Sequence, residues 1–178
     1  MSAATICLIY GLFTSSGEPE HYGPAGPGYF GAHVVEAIAL QVQTTITPAT
    51  HGAEVIYSAN GPVLGEQWPQ AVSTCAMAQG HPLAIELTVS DTEADLTLIE
   101  YGPTGEAAAL TLAAALAEIG WEVDTAPAGL PSDVASVRVT LGSVAGPLGA
   151  DALGLTSWRE ETAAALVAGL VTATYYEE

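Results

Sequence analysis

The chain has 178 residues, with 20 acidic side chains against two basic ones and a formal net charge of −18. Both cations are arginines, Arg138 and Arg159, which excludes the basic patch that nucleic-acid binding needs and any grip on an anionic membrane surface. Hydrophobic residues make up 49% of the chain and mean hydropathy is +0.36, which excludes intrinsic disorder.

The length suits one domain over residues 1–178, large enough to bury a core without staples. Much of the apolar content is alanine, suited to close packing of helices on a sheet, and the surplus can cover subunit contacts. No apolar run reaches the roughly 18–20 residues of a membrane helix, and the start lacks a basic n-region. Charged residues are only 12%, too few for a densely charged halophilic surface. The imbalance therefore points to a partner with a basic surface, a saline setting or a plain solvated acidic face.

In chain order, Thr5 to Tyr10 reads as a first strand. A Gly/Pro-rich stretch, residues 17–28, is too punctuated for regular structure. Phe30 to Thr44 predicts a helix with Val34, Val35, Ile38, Leu40 and Val42 on its apolar face. Glu54 to Ser58 reads as a short strand, and Leu64 to Gln79 as a second helix that Gly80 stops. Leu83 to Val89 and Leu96 to Tyr101 predict two strands. Thr104 stands as N-cap for a helix over Ala107 to Ile119, ended by Gly120. Trp121 to Thr125 and Ser136 to Leu141 predict two further strands. The closing helix spans about Ser157 to Tyr175, with Ser157 as cap and Glu160 and Glu161 in its first turn. The series β-α-β-α-β-β-α-β-β-α predicts a three-layer α/β sandwich, with a mixed sheet of about six strands and helices on both faces.

Candidate chemistry is sparse. Cys7 and Cys75 lack zinc-type spacing; buried free thiols are the expectation and a disulfide is the alternative. His33 and Glu36 stand three apart on one helix; with His21 or His51 they offer a metal site, and without them a plain His–carboxylate pair near a helix end. His81, before Pro82, reads as a loop residue. Cys75 sits mid-helix without a basic neighbour, a poor place for an activated thiolate. Ser15 and Ser16 lack any sequence-visible triad partner. The acids Asp91, Glu93 and Asp95 lack the Gly and distal Glu of an EF-hand loop, so a solvated turn is the plainer reading. Tyr10, Phe13, Tyr22, Tyr29 and Phe30 gather around the first loop; Tyr22 and Tyr29 form a possible contact surface for a glycan or protein, with core burial the alternative for Tyr10 and Phe30.

Three stretches resemble the zinc-dependent N-acetylmuramoyl-L-alanine amidase family. They are ICLIYGLFTSSG followed by FGAHVVEAIALQV, then GEAAALTLAAALAEIGWEV, then VRVTLGSVAGPLGADALGLTSWREETAAALVAGL. The resemblance implies an amidase-like fold. It also implies where the family's zinc ligands and catalytic Glu should stand. The first ligand, a His after the opening strand, falls at Phe13; the second, a Glu near the first helix, has His33 and Glu36 nearest; the third, a His, falls at Thr88. The catalytic Glu falls at Thr140. A zinc needs about three N/O/S ligands and an open position, and neither an aromatic ring nor a hydroxyl replaces imidazole.

These readings give a non-enzymatic protein with no cofactor and no metal. The first expectation is a structural or assembly protein, such as a bacteriophage virion component (decoration, head or tail accessory). It would be a homo-oligomer or part of a larger assembly, located in a virion or extracellular particle, otherwise soluble and cytoplasmic. The alternative is a cell-wall or glycan-binding pseudoenzyme, and a less favoured third reading is a divergent metal-dependent hydrolase. Neither nucleic acid nor membrane insertion is expected.

Overall fold

The computed structural model describes residues 4–10, 25–26, 29–46, 51–56, 83–90, 97–130, 132–143, 145–146 and 149–175. The strands are β1 (Ala4–Tyr10), β2 (Ala25–Gly26), β3 (Tyr29–Phe30), β4 (His51–Ile56), β5 (Leu83–Ser90), β6 (Thr97–Tyr101), β7 (Val123–Pro127) and β8 (Ala135–Ser143). The helices are α1 (Gly31–Thr45), α2 (Glu106–Glu118), α3 (Gly149–Gly154) and α4 (Thr156–Tyr175). The helix expected at 64–79 lies outside the described residues, as do Cys75, His81 and the acids at 91–95.

Six strands form one mixed sheet in the order β4-β1-β5-β8-β6-β7. β1 runs parallel to β4 and β5, and β5 parallel to β8, whereas β6 is antiparallel to β8 and parallel to β7. The last pair of strands is therefore reversed relative to the other four. β2 and β3 pair as a two-residue antiparallel ladder, Ala25 with Phe30 and Gly26 with Tyr29, within and beside the stretch expected to be irregular.

Among the described residues, the core lies between one sheet face and helices α1, α2 and α4, joined by Leu153 of α3. α1 packs on β1, β4 and β5, α2 packs on β6, β7 and β8, and α4 packs against both α1 and α2. Ile6, Leu8, Ile85, Leu87, Val137, Val139 and Ile99 join Val34, Val35, Ile38, Leu112, Leu116, Leu166 and Leu170 in one buried cluster. Side chains alternate along a strand, so Cys7, Ala84, Glu86, Thr88, Arg138 and Thr140 belong to the opposite face. On α1 the buried positions are Val34, Val35, Ile38, Ala39 and Val42, while Leu40 is exposed. The helical repeat explains this: positions 34, 38 and 42 fall on one stripe, and 40 lies half a turn away. α2 and α4 also pack closely on each other. A Cβ built on Gly169 would stand 3.2 Å from the Leu112 Cα, a tight contact that would require α2 or α4 to give by a few tenths of an ångström.

Several local expectations are corrected. Thr104 does not cap α2: its hydroxyl donates to the Val134 carbonyl at 3.1 Å, and Gly105 is the N-cap with no side-chain bond. A Cβ at Gly105 would collide with the Ser136 carbonyl oxygen, so the close approach of β8 selects glycine there. α4 starts at Thr156, which puts Ser157 inside the helix and Glu160 and Glu161 beyond its first turn. The short helix α3 before it was not expected. Cys7 is disulfide-bonded and no described cysteine is free, against the expectation of free thiols; Cys75 is the chain's only other cysteine. Gly120, with φ +90°, ends α2 as expected. Among the described residues no helix is long and apolar enough to cross a membrane.

Candidate functional site

The sheet register brings together two residues that the sequence placed at the family's metal and base positions. Thr88 on β5 and Thr140 on β8 are direct partners across the parallel ladder. They stand near the C-terminal ends of their strands, one row below the point where the ladder becomes irregular. From Thr88 to Ser90 β5 advances two residues, while β8 advances three, from Thr140 to Ser143. The extra residue is a bulge, and Gly142 carries it with φ +127°, a conformation closed to side chains. Beyond it, buried Ser143 accepts a hydrogen bond from the Ala145 backbone N–H at 3.1 Å. Thr88 is buried, with its hydroxyl 3.3 Å from the Val89 carbonyl to which it donates; Thr140 is half-buried. Leu98 of β6 lies opposite Thr140 on the other side, and Asp124 of β7 lies opposite Leu98. One row therefore runs Thr88, Thr140, Leu98, Asp124 across four strands.

The row beneath is charged. Arg138 on β8 has Glu86 of β5 as its partner on one side and Glu100 of β6 on the other. The Arg138 Nε lies 2.8 Å from the Glu86 Oε1, and its Nη1 donates to the Glu100 Oε2 at 3.3 Å. Glu86 is 1% exposed, against 17% for Arg138 and 26% for Glu100. A buried carboxylate persists only with a cation against it, and Arg138 is that cation. Sequence reasoning missed this triad, although its signal was present. Glu86 interrupts the apolar run LAIELTV and Arg138 interrupts SVRVTL, opposite charges in the middle of two buried strands.

His33 and Glu36 lie on α1, His33 exposed and Glu36 half-buried, and each takes part in a polar interaction. α1 packs on the opposite sheet face from Thr88 and Thr140. Tyr29 forms part of β3; Phe13 and Tyr22 lie outside the described residues. A zinc ion calls for imidazole, thiolate or carboxylate ligands. Thr88 and Thr140 end in neutral hydroxyls, Asp124 stands two strands further along the row, and the nearest carboxylate down β5, Glu86, is held by Arg138. Among the described residues no group of three or more His, Cys, Asp or Glu is placed to hold a metal ion. The described residues do not fit a zinc site.

No family model matches the chain, and no curated protein matches it by sequence. Solved structures do match its fold. The N-acetylmuramoyl-L-alanine amidase AmiC2 of Nostoc punctiforme superposes with a TM-score of 0.75 at 16% identity, covering 100% of both chains. The catalytic domain of the amidase CwlV from Bacillus (Paenibacillus) polymyxa var. colistinus gives 0.74 at 13% identity, covering 96% of this chain and 98% of that one. The catalytic domain of the CD27L endolysin targeting Clostridia Difficile gives 0.72 at 15%, with coverage of 95% and 97%. The fold is amidase-like along the whole chain.

Proposed function

We propose that the protein is a non-catalytic binding protein on an amidase-like scaffold, directed at a cell-wall or related glycan ligand. One observation carries this: the ladder pairs Thr88 with Thr140, the positions at which the resemblance calls for a zinc-binding His and the catalytic Glu. Two hydroxyls neither hold a zinc nor bring a bound water's pKa toward neutrality. A threonine at 140 is no general base at neutral pH. The full-length likeness to cell-wall amidases and an endolysin supports a ligand of that class. The disulfide at Cys7 supports an oxidising, extracellular setting.

The second reading is an assembly role in a virion, as a homo-oligomer or accessory subunit. Its support is the exposure of Leu40, Leu110, Ile119 and Leu155. Purified protein mixed with sedimented peptidoglycan, with and without added zinc, tests the first reading. Retention in the pellet with no amide cleavage and no stoichiometric zinc is the expected result. Cleavage, or bound zinc lost in His33→Ala, overturns the non-catalytic reading. Absence from the pellet together with a large homo-oligomer by light scattering favours assembly.

A further inference from the structure

Trp121 and Trp158 stack with ring centroids 5.0 Å apart and planes inclined by 16°. The pair bridges the turn after α2 and the first turn of α4. Strand register places it at the same end of the sheet as Thr88 and Thr140, because Asp124 of β7 lies opposite Leu98, which in turn lies opposite Thr140. Trp121 comes just before β7 begins. Both indoles are half-buried and rest on the core.

Two exposed large apolar residues flank them in sequence: Ile119, two positions before Trp121, at 37%, and Leu155, three before Trp158, at 57%. Leu155 is hard to explain by folding alone. Its carbonyl accepts the first helical bond of α4, from the Arg159 N–H at 3.2 Å, so it occupies the N-cap. Leucine is among the poorest N-cap residues, and at this exposure it contributes little to the core. An apolar side chain that serves neither cap nor core next to a tryptophan pair is the mark of a contact surface.

The charge around it selects the partner. Glu118, Glu122, Glu160 and Glu161 flank these residues in sequence and are exposed. The chain's two cations leave these glutamates in excess: only Arg159 stands among them, one positive charge against four carboxylates. Arg138 lies between Glu86 and Glu100. Arg159 donates to the carbonyls of Gly154, at 3.1 Å, and Leu155, at 3.4 Å, closing the end of α3. A second copy of a chain with net charge −18 would bring only more negative charge to this surface. We propose that the Ile119–Trp121–Leu155–Trp158 patch docks a cationic protein segment. Its Lys or Arg stems cover Ile119 and Leu155, and its charges meet the indole faces and the surrounding glutamates.

This inference does not rest on catalytic silence and survives the discovery of a zinc site. The probe is a synthetic peptide alternating Arg and Leu, titrated into the full chain while tryptophan fluorescence is followed. Controls are the same peptide with Glu for Arg, and a neutral chito-oligosaccharide. The variant is L155S/E160Q/E161Q, in which serine improves the N-cap, so folding is preserved and is checked by circular dichroism. Saturable binding of the Arg peptide, weakened about tenfold in the variant and weakened by added salt, is the expected result. Equal affinity for variant and wild type, no binding, preference for the Glu peptide or the oligosaccharide, or a dimer that Leu155→Ser abolishes, each overturns it.

Discussion

Replacing Arg138 by Met is expected to destabilise the protein by about 3–5 kcal/mol, the cost of removing one partner from a buried ion pair. The structure fixes the size through Glu86. That carboxylate is 1% exposed and has the Arg138 Nε at 2.8 Å, so the variant strands a desolvated charge. The Glu100 arm adds little, because at 26% exposure and 3.3 Å water screens it. For a chain of this length the loss lowers Tm by roughly 6–20 °C. The double variant E86L/R138M removes both buried charges and leaves Glu100 to solvent. It should recover to within about 1 kcal/mol of wild type or exceed it. Urea unfolding of wild type, both single variants and the double variant closes a double-mutant cycle, with a coupling of at least about 2–4 kcal/mol expected. Additive losses, or less than about 1 kcal/mol for R138M, would show that Glu86 is solvated, and the reasoning would fall.

Gly169→Ala should cost about 1–3 kcal/mol by overpacking, since its new methyl meets Leu112 and Ala115 across the α2–α4 contact; a thermal melt reads it, and an unchanged Tm would mean the helices separate easily. Gly105→Ala should be worse, because the clash is with the Ser136 backbone carbonyl; soluble expression with wild-type Tm would contradict the geometry. Thiol titration of the denatured chain without reductant should find no free cysteine, and reduction should lower stability by about 2–5 kcal/mol; two titratable thiols would refute the disulfide. Added sodium chloride should raise the urea midpoint, because it screens the repulsion within a chain of charge −18; a flat response would mean that this repulsion does not limit stability.

What the sequence disclosed and what it hid follow from the range of the interactions. The strands at 83–90 and 135–143 were legible because both are β-rich runs with covered faces. Thr88 and Thr140 stand in motifs far apart in the chain, and only the ladder shows that they are neighbours. Local signals failed where a distant backbone intervened. Thr104 turns from its own helix to the Val134 carbonyl, and Gly105 is held in place by β8. Leu40 was assigned to the apolar face by hydrophobicity, when the helical repeat already placed it outside. The disulfide at Cys7 ranked second to free thiols because two cysteines alone give no framework of spacings. The Glu86–Arg138–Glu100 row needed strand order, which no residue pattern announces.

The absence of lysine and the placement of both arginines have a consequence for how this molecule meets proteases. An enzyme that cuts after basic residues has two targets, at Arg138 and Arg159, and yields three fragments at most. The first target lies in the middle of β8, hydrogen-bonded into the sheet between β5 and β6; the second is wound into the first turn of α4. Neither strand nor helix enters a protease groove without opening, so trypsin resistance would report the unfolding equilibrium directly. A secretion rich in such enzymes would leave the folded chain whole.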